Sequence, residues 1–188
     1  MVEIRTHGRG GQGAVVASKV LANALFKEGR FVQAFPAFGV ERRGAPVVAF
    51  TRFDDAPVRL RCEIYKPDHL IVLDHALTET IDITAGLKEG GWIVINSHMD
   101  PEKFAYKERF RIAVVDAAEI AWRHRLGSRA TPIVNTAILG AFARATGLVG
   151  LDAVVEAAAE AVPSKQEQNK QAAVDAFNET TLLDKVRL

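Results

Sequence analysis

The sequence predicts an α/β domain of three layers, with a mostly parallel sheet, a β-hairpin insertion and a helical C-terminal third. Three observations carry this. Short apolar runs ending in an acid or an amide recur at Leu70–Asp74, Trp92–Asn96 and Ile112–Asp116, the form of parallel strands buried on both faces. The first strand-like run passes through glycines straight into a helical pattern. The last third carries helix starts, stops and periodicity with little strand signal. At 188 residues without a linker, residues 1–188 make one domain.

Each element has its own signal. Val2, Ile4 and Thr6 alternate with polar residues and lead into Gly8. A helix follows from Ala14 to Glu28, with Val16, Val20 and Ala24 on one face and Gly29 as its left-handed stop. Phe31–Phe35 reads as a strand ended by Pro36, and a loop rich in Gly, Pro and Arg runs to Pro46. Val47–Phe53 and Val58–Arg61 are strand-like and separated by four turn residues, the spacing of a hairpin. Leu77–Lys88 is weakly helical. Asp116 with Glu119 has capping-box spacing. Thr131-Pro132 predicts the start of a helix running to Thr146, with Gly147 as its stop. Leu151–Val162 reads as a further helix, and Ser164 with Glu167 as the capping box of a last one carrying Ala173 and Phe177.

Composition narrows the function classes. Lys+Arg number 24 and Asp+Glu 23, a net charge of +1, which argues against nucleic acid as a partner. No run is long and apolar enough for a membrane helix, and Met1–Arg5 has no signal-peptide form. A lone cysteine, Cys62, excludes an internal disulfide and a cluster held by this chain alone, and points to the cytoplasm. The same thiol beside Glu63 is a poor nucleophile. The five histidines have no metal-ligand spacing, and neither a nucleophile elbow nor a P-loop is present. The chain reads as a binding module without catalytic apparatus of its own.

Two segments carry possible chemistry. Gly8-x-Gly10-x-x-Gly13 lies between a strand and a helix, where a tight glycine turn brings backbone N–H groups to a phosphate. A dinucleotide would also need an acid at the end of the second strand, and Gln33-Ala34-Phe35-Pro36 has none. Close strand–helix packing alone also accounts for such glycines. The loop Phe35–Pro46, with Glu41, Arg42 and Arg43, suits an anion or a partner surface, and equally a solvated loop. Asp74 and Asp116 end strands at the carboxyl edge, Asp116 as a helix cap.

Together Gly8–Gly13, Gln33–Pro36 and Gly39–Pro46 resemble the gamma subunit of 2-oxoacid:ferredoxin oxidoreductases, nearest its pyruvate branch. The likeness continues through Leu73-Asp74, Gly90-Gly91, Asn96, Val115–Ala117, Thr131-Pro132, Asn135-Thr136, Leu139–Ala141 and Gly147–Val149 to the final helix. The resemblance implies a Rossmann-like domain in a complex with alpha, beta and delta subunits that converts pyruvate, coenzyme A and oxidised ferredoxin reversibly to acetyl-CoA, CO2 and reduced ferredoxin. Thiamine diphosphate, Mg and 4Fe-4S clusters would sit in partner subunits. The gamma chain would hold no cofactor but contribute to coenzyme A binding and active-site closure. It implies Arg9, Gly10, Gly11, Gln12, Gly13, Glu41, Arg42 and Arg43 as contacts to coenzyme A or to the alpha and beta subunits. Relatives also carry a small polar residue at the position of Arg43, which points this arginine toward a partner contact. A 2-oxoglutarate, branched-chain or indolepyruvate enzyme of the same kind is the rival reading, and a free-standing nucleotide-binding module another. The isolated chain is expected to be able to form a homodimer.

Overall fold

The computed structural model describes residues 1–37 and 43–185. Seven strands form one sheet in the order β2-β3-β1-β4-β5-β6-β7. They are β1 (Val2–Arg9), β2 (Phe31–Pro36), β3 (Pro46–Asp54), β4 (His69–Val72), β5 (Trp92–Asn96), β6 (Arg111–Val115) and β7 (Thr181–Leu183). β1, β4, β5 and β6 are paired in parallel, while β3 and β7 run against their neighbours. Five of the seven strands therefore point the same way, and their carboxyl ends share one edge.

The helices are α1 (Ala14–Lys27), α2 (Leu77–Thr80), α3 (Ala117–Arg123), α4 (Ala137–Thr146), α5 (Leu151–Glu160) and α6 (Gln166–Glu179). Alternation along the central strands splits the core in two. Ile71, Leu73, Val94, Ala113 and Val115 face α1 and the C-terminal helices. Leu70, Val72, Ile93, Ile95 and Val114 face the segment around Leu77, Ile83 and Leu87 and the loop bearing Phe104 and Phe110. Among the described residues no helix is long and apolar enough to cross a membrane.

Several expectations are corrected. The hairpin is β2 with β3, not 47–53 with 58–61. β3 already has β1 on one side and β2 on the other, so no free edge remains for Val58–Arg61. That segment instead meets Arg52, whose buried guanidinium donates to the Leu60 carbonyl (3.5 Å), to the Cys62 carbonyl just after the segment (3.2 Å) and to Glu3 Oε1 (2.7 Å). The helix expected from Thr131-Pro132 begins only at Ala137. Proline keeps the preceding residue extended, and Ile133 N–H donates to the Leu126 carbonyl across a bridge between Gly127 and Pro132. Ser164 does not cap α6, because Lys165 occupies the cap in a left-handed conformation with no side-chain bond. Of the helix expected over 77–88 only one turn forms. Gly29 and Gly147 are left-handed helix stops, and Asp116 Oδ1 accepts from Glu119 N–H, as expected. β7 had no forecast.

Two histidines sit in the fold as neutral rings, His7 buried and His69 half-buried. Burial, with Arg5 adding to it, pushes His7 down to about 3. Arg5 Nε donates to its Nε2 at 2.9 Å, which only an unprotonated nitrogen can accept. Burial also lowers His69 to about 4, and its Nδ1 accepts from Trp92 N–H. Both lie below the unfolded value of about 6.5. Unfolding therefore takes up protons below that value, and stability present above pH 6.5 is lost as pH falls through it. Each ring should cost roughly 1.4 kcal/mol per pH unit once well below 6.5. Urea midpoints should fall between pH 7 and pH 5, and His7→Gln should remove about half of that slope; an identical slope in the variant would remove His7 from the account.

Candidate functional site

The site begins where β1 leaves the sheet. Gly11 and Gly13 have φ of +97° and +81°, backbone that glycine adopts without strain. A Cβ on Gly13 would lie 2.3 Å from Asn135 Nδ2, whereas one on Gly11 would meet nothing within 4 Å. Gly13 is the N-cap of α1, and it brings the helix no side-chain cap and no acid in the first turn. The first N–H groups of this 14-residue helix are therefore free, at the positive end of its dipole.

These groups open into a cleft of about 600 Å³. One wall is the turn Gly10–Gly13 with Val16, and the other is the 127–135 loop through Thr131, Pro132 and Asn135. Leu73 and Asn96, from the ends of β4 and β5, form the floor. Arg43 is the single charged side chain among the described lining residues. Its segment is held to the turn by backbone bonds, from Gly44 N–H to the Gly10 carbonyl and from Gly10 N–H to the Ala45 carbonyl.

The side chains of Arg9 and Gln12 are turned away from ligand duty. Arg9 Nε donates to Asp74 Oδ2 at 2.8 Å, and its Nη1 reaches the Gly44 carbonyl. Gln12 accepts from Arg9 N–H through Oε1 and donates to Asp74 through Nε2. Burial would raise the Asp74 carboxyl, but the bonds from Arg9, Ala76 N–H and Gln12 outweigh it and hold the group below its ordinary range. Asp74 thus fixes the turn rather than facing a ligand. Glu41 and Arg42 lie outside the described residues.

Of the residues expected at the site, the structure brings together Gly10, Gly11, Gln12, Gly13 and Arg43 on one cleft. The opposite wall was not anticipated. Its signal was the pair Gly127 and Thr131-Pro132, which marks a tight extended loop as readily as a helix start. The arrangement can bind an anionic group at an uncapped helix end beside one arginine. Among the described residues no group of three or more His, Cys, Asp or Glu side chains is placed to hold a metal ion, and one exposed cysteine does not suffice for a cluster.

Comparison with known proteins places this architecture. The profile of the family described as pyruvate ferredoxin/flavodoxin oxidoreductase matches residues 3–179. The pyruvate/ketoisovalerate oxidoreductases common subunit gamma of Thermococcus kodakarensis is 53% identical, over 98% of this chain and all of that one. The crystal structure of pyruvate oxidoreductase subunit PORC from Thermotoga maritima is 37% identical with a TM-score of 0.80, over 96% of this chain and 97% of that one. A 2-oxoglutarate:ferredoxin oxidoreductase from Magnetococcus marinus, solved with 2-oxoglutarate, coenzyme A and succinyl-CoA bound, contains the same fold at 18% identity and a TM-score of 0.70. It covers all of this chain and 32% of that one.

The two glycines separate strain from contact. Gly11→Ala should cost about 1 kcal/mol, for its positive φ alone. Gly13→Ala adds the collision with Asn135 and should cost roughly 2–4 kcal/mol, some 5–10 °C in Tm for a domain of this size. Equal losses in thermal melts would show that Asn135 does not brace the turn.

Proposed function

The chain belongs to the pyruvate ferredoxin/flavodoxin oxidoreductase family, as a gamma subunit, and from that premise we propose that its cleft holds the phosphates of coenzyme A beside the active site of a pyruvate-oxidising complex in the cytoplasm. The observation that carries the reading is the uncapped N-terminus of α1 opening into the 600 Å³ cleft. Free N–H groups, a positive dipole end and Arg43 favour a phosphate at that point. The glycine turn and Arg43 are its contacts, with Arg42 and Glu41 on the same loop, and Arg9 holds the turn through Asp74. The coenzyme A named for the Magnetococcus marinus enzyme fits the same assignment.

The chemistry belongs elsewhere in the assembly. The residues of this chain do not fit an iron–sulfur cluster or a thiamine diphosphate–Mg site, since it has one cysteine and no Gly-Asp-Gly followed by Asn-Asn. Alpha, beta and delta subunits would hold these groups and reduce ferredoxin. When bound, thiamine diphosphate supplies the carbanion chemistry of decarboxylation. This chain's part is to bind and orient the thiol-bearing acceptor and to close the site around it. Ketoisovalerate is a second substrate reading, favoured by the shared role in the name of the Thermococcus kodakarensis relative.

Arg43→Ala tests the assignment in the assembled complex. Loss of one charge-assisted phosphate contact should raise the KM for coenzyme A about tenfold while kcat is kept, the pattern of lost uniform binding. If subunit association weakens instead and the KM does not move, Arg43 serves a partner contact.

A further inference from the structure

β2 ends the sheet, with β3 on one side and, among the described residues, no strand on the other. One step beyond the pair Pro36–Ala49, Ala37 donates its N–H to the carbonyl of its register partner Val48 at 2.9 Å. Hydrogen-bonded and non-hydrogen-bonded pairs alternate along an antiparallel ladder. Phe31, Gln33 and Phe35 therefore direct their backbone groups at β3, while Val32 and Ala34, with the Pro36 carbonyl, turn theirs outward. None of these outward groups has a backbone partner among the described residues.

The side chains beside this edge form a knob and a hole. The knob is Phe31 at the start of the strand, 46% exposed. The hole is a groove of about 320 Å³ near its end, lined by Gln33, Ala34, Phe35, Leu60 and Arg61. Leu60 leaves 45% of its surface exposed there. Phe31, Gln33 and Phe35 share one face of β2, the face on which the Arg52 guanidinium lies over the Phe35 ring.

A second copy of the same edge complements both features. With the copies antiparallel and a two-fold axis at Gln33, Val32 of each pairs with Ala34 of the other, and four N–H···O bonds form. The next pair along that ladder sets Pro36 against Arg30. Pro36 has no N–H to give, and the Arg30 N–H already bonds the Leu25 carbonyl. The pairing thus ends where both strands lack a donor. The same axis puts Phe31 across from Phe35 of the second copy, so each exposed ring meets the other's groove. It also brings Arg61 to the end of the strand where Asp55, paired with Arg30, is largely exposed. Knob, hole, donors and charges of one surface match that surface turned through half a revolution, which is what an isologous contact requires.

We infer that two copies of this chain join through the outer edges of β2 into one continuous sheet, with Phe31 of each seated in the groove of the other. The groove and the cleft at the glycine turn have no lining residue in common, so the contact does not depend on the coenzyme A reading.

The test is analytical ultracentrifugation of the full chain over a range of micromolar concentrations, where the wild type should sediment as a dimer. Phe31→Ala empties both grooves at once and should raise the dimer dissociation constant about a hundredfold. Ala34→Pro removes an outward donor while sparing the bonds to β3, a place where an edge strand accepts proline, and it should give a monomer with the wild-type far-UV spectrum. In a Cys62→Ser background, Gln33→Cys should form a disulfide-linked dimer under mild oxidation, because directly opposed residues of a non-hydrogen-bonded pair lie about 4.5 Å apart. Val32→Cys, displaced from the axis, should not. A wild-type chain that is monomeric throughout overturns the inference. So does a dimer that survives both Phe31→Ala and Ala34→Pro and gives no Gln33→Cys crosslink. A monomeric chain whose association with another subunit is weakened by Ala34→Pro overturns it as well, and assigns the edge to that subunit.

Discussion

The Asp74 carboxylate is the point from which the carboxyl edge of the sheet is organised. It accepts from Arg9 Nε, Gln12 Nε2 and Ala76 N–H, and so ties the turn after β1 to the end of β4. A partly buried carboxylate with three donors, one of them charged, is worth far more than an exposed surface pair. The tie continues through Asn96, which donates to the Leu73 carbonyl and accepts from Ala118 N–H, linking β4 and β5 to the start of α3. Loop geometry at a binding site is exact only when such polar links determine it.

The opposite face of the sheet follows a different rule. Glu3, Arg5, His7 and Arg9 alternate along β1, away from the helices. No apolar layer can cover that row, and the chain answers with hydrogen bonds. Arg5 reaches the carbonyls of Ile83 and Ala85. Arg52, at 1% exposure, is held by Glu3, Gln33 and the Cys62 carbonyl. Removing one partner from such a set leaves a buried charge uncompensated, so the row acts as a unit. This row explains why the helices collect on one side of β1 while loops close the other.

What was legible in the sequence is what local physics decides. Continuous apolar runs such as Leu70–Leu73 and Ile112–Val115 have only one comfortable place, inside a parallel sheet. Glycines followed at once by a helical pattern mark a strand–turn–helix unit. The failures fall where a distant segment decides. Val58–Arg61 has strand composition, but β1 and β2 had already taken both edges of β3. Thr131-Pro132 has the chemistry of a helix start, yet the Leu126 carbonyl captures Ile133 N–H and keeps the chain extended. The second wall of the cleft was hidden for the same reason, since the contact of Asn135 with Gly13 joins residues more than a hundred positions apart.

That contact also explains why α1 is left uncapped. A Ser, Asp or Asn at the cap ordinarily stabilises a helix by about 1 kcal/mol over alanine and by a few tenths of a kcal/mol over glycine, because only the side chain can bond the free N–H groups. Gly13 cannot become any of these without strain, because its φ is positive and a Cβ would meet Asn135 Nδ2 at 2.3 Å. The same approach that closes the cleft against the turn therefore forbids the side chain that would satisfy the helix end. The free N–H groups are then left for an anion in the cleft, and a ligand bound there stabilises the fold by mass action. An incomplete helix end becomes a complete one when the phosphate arrives, so binding and the local stability of the turn are one equilibrium.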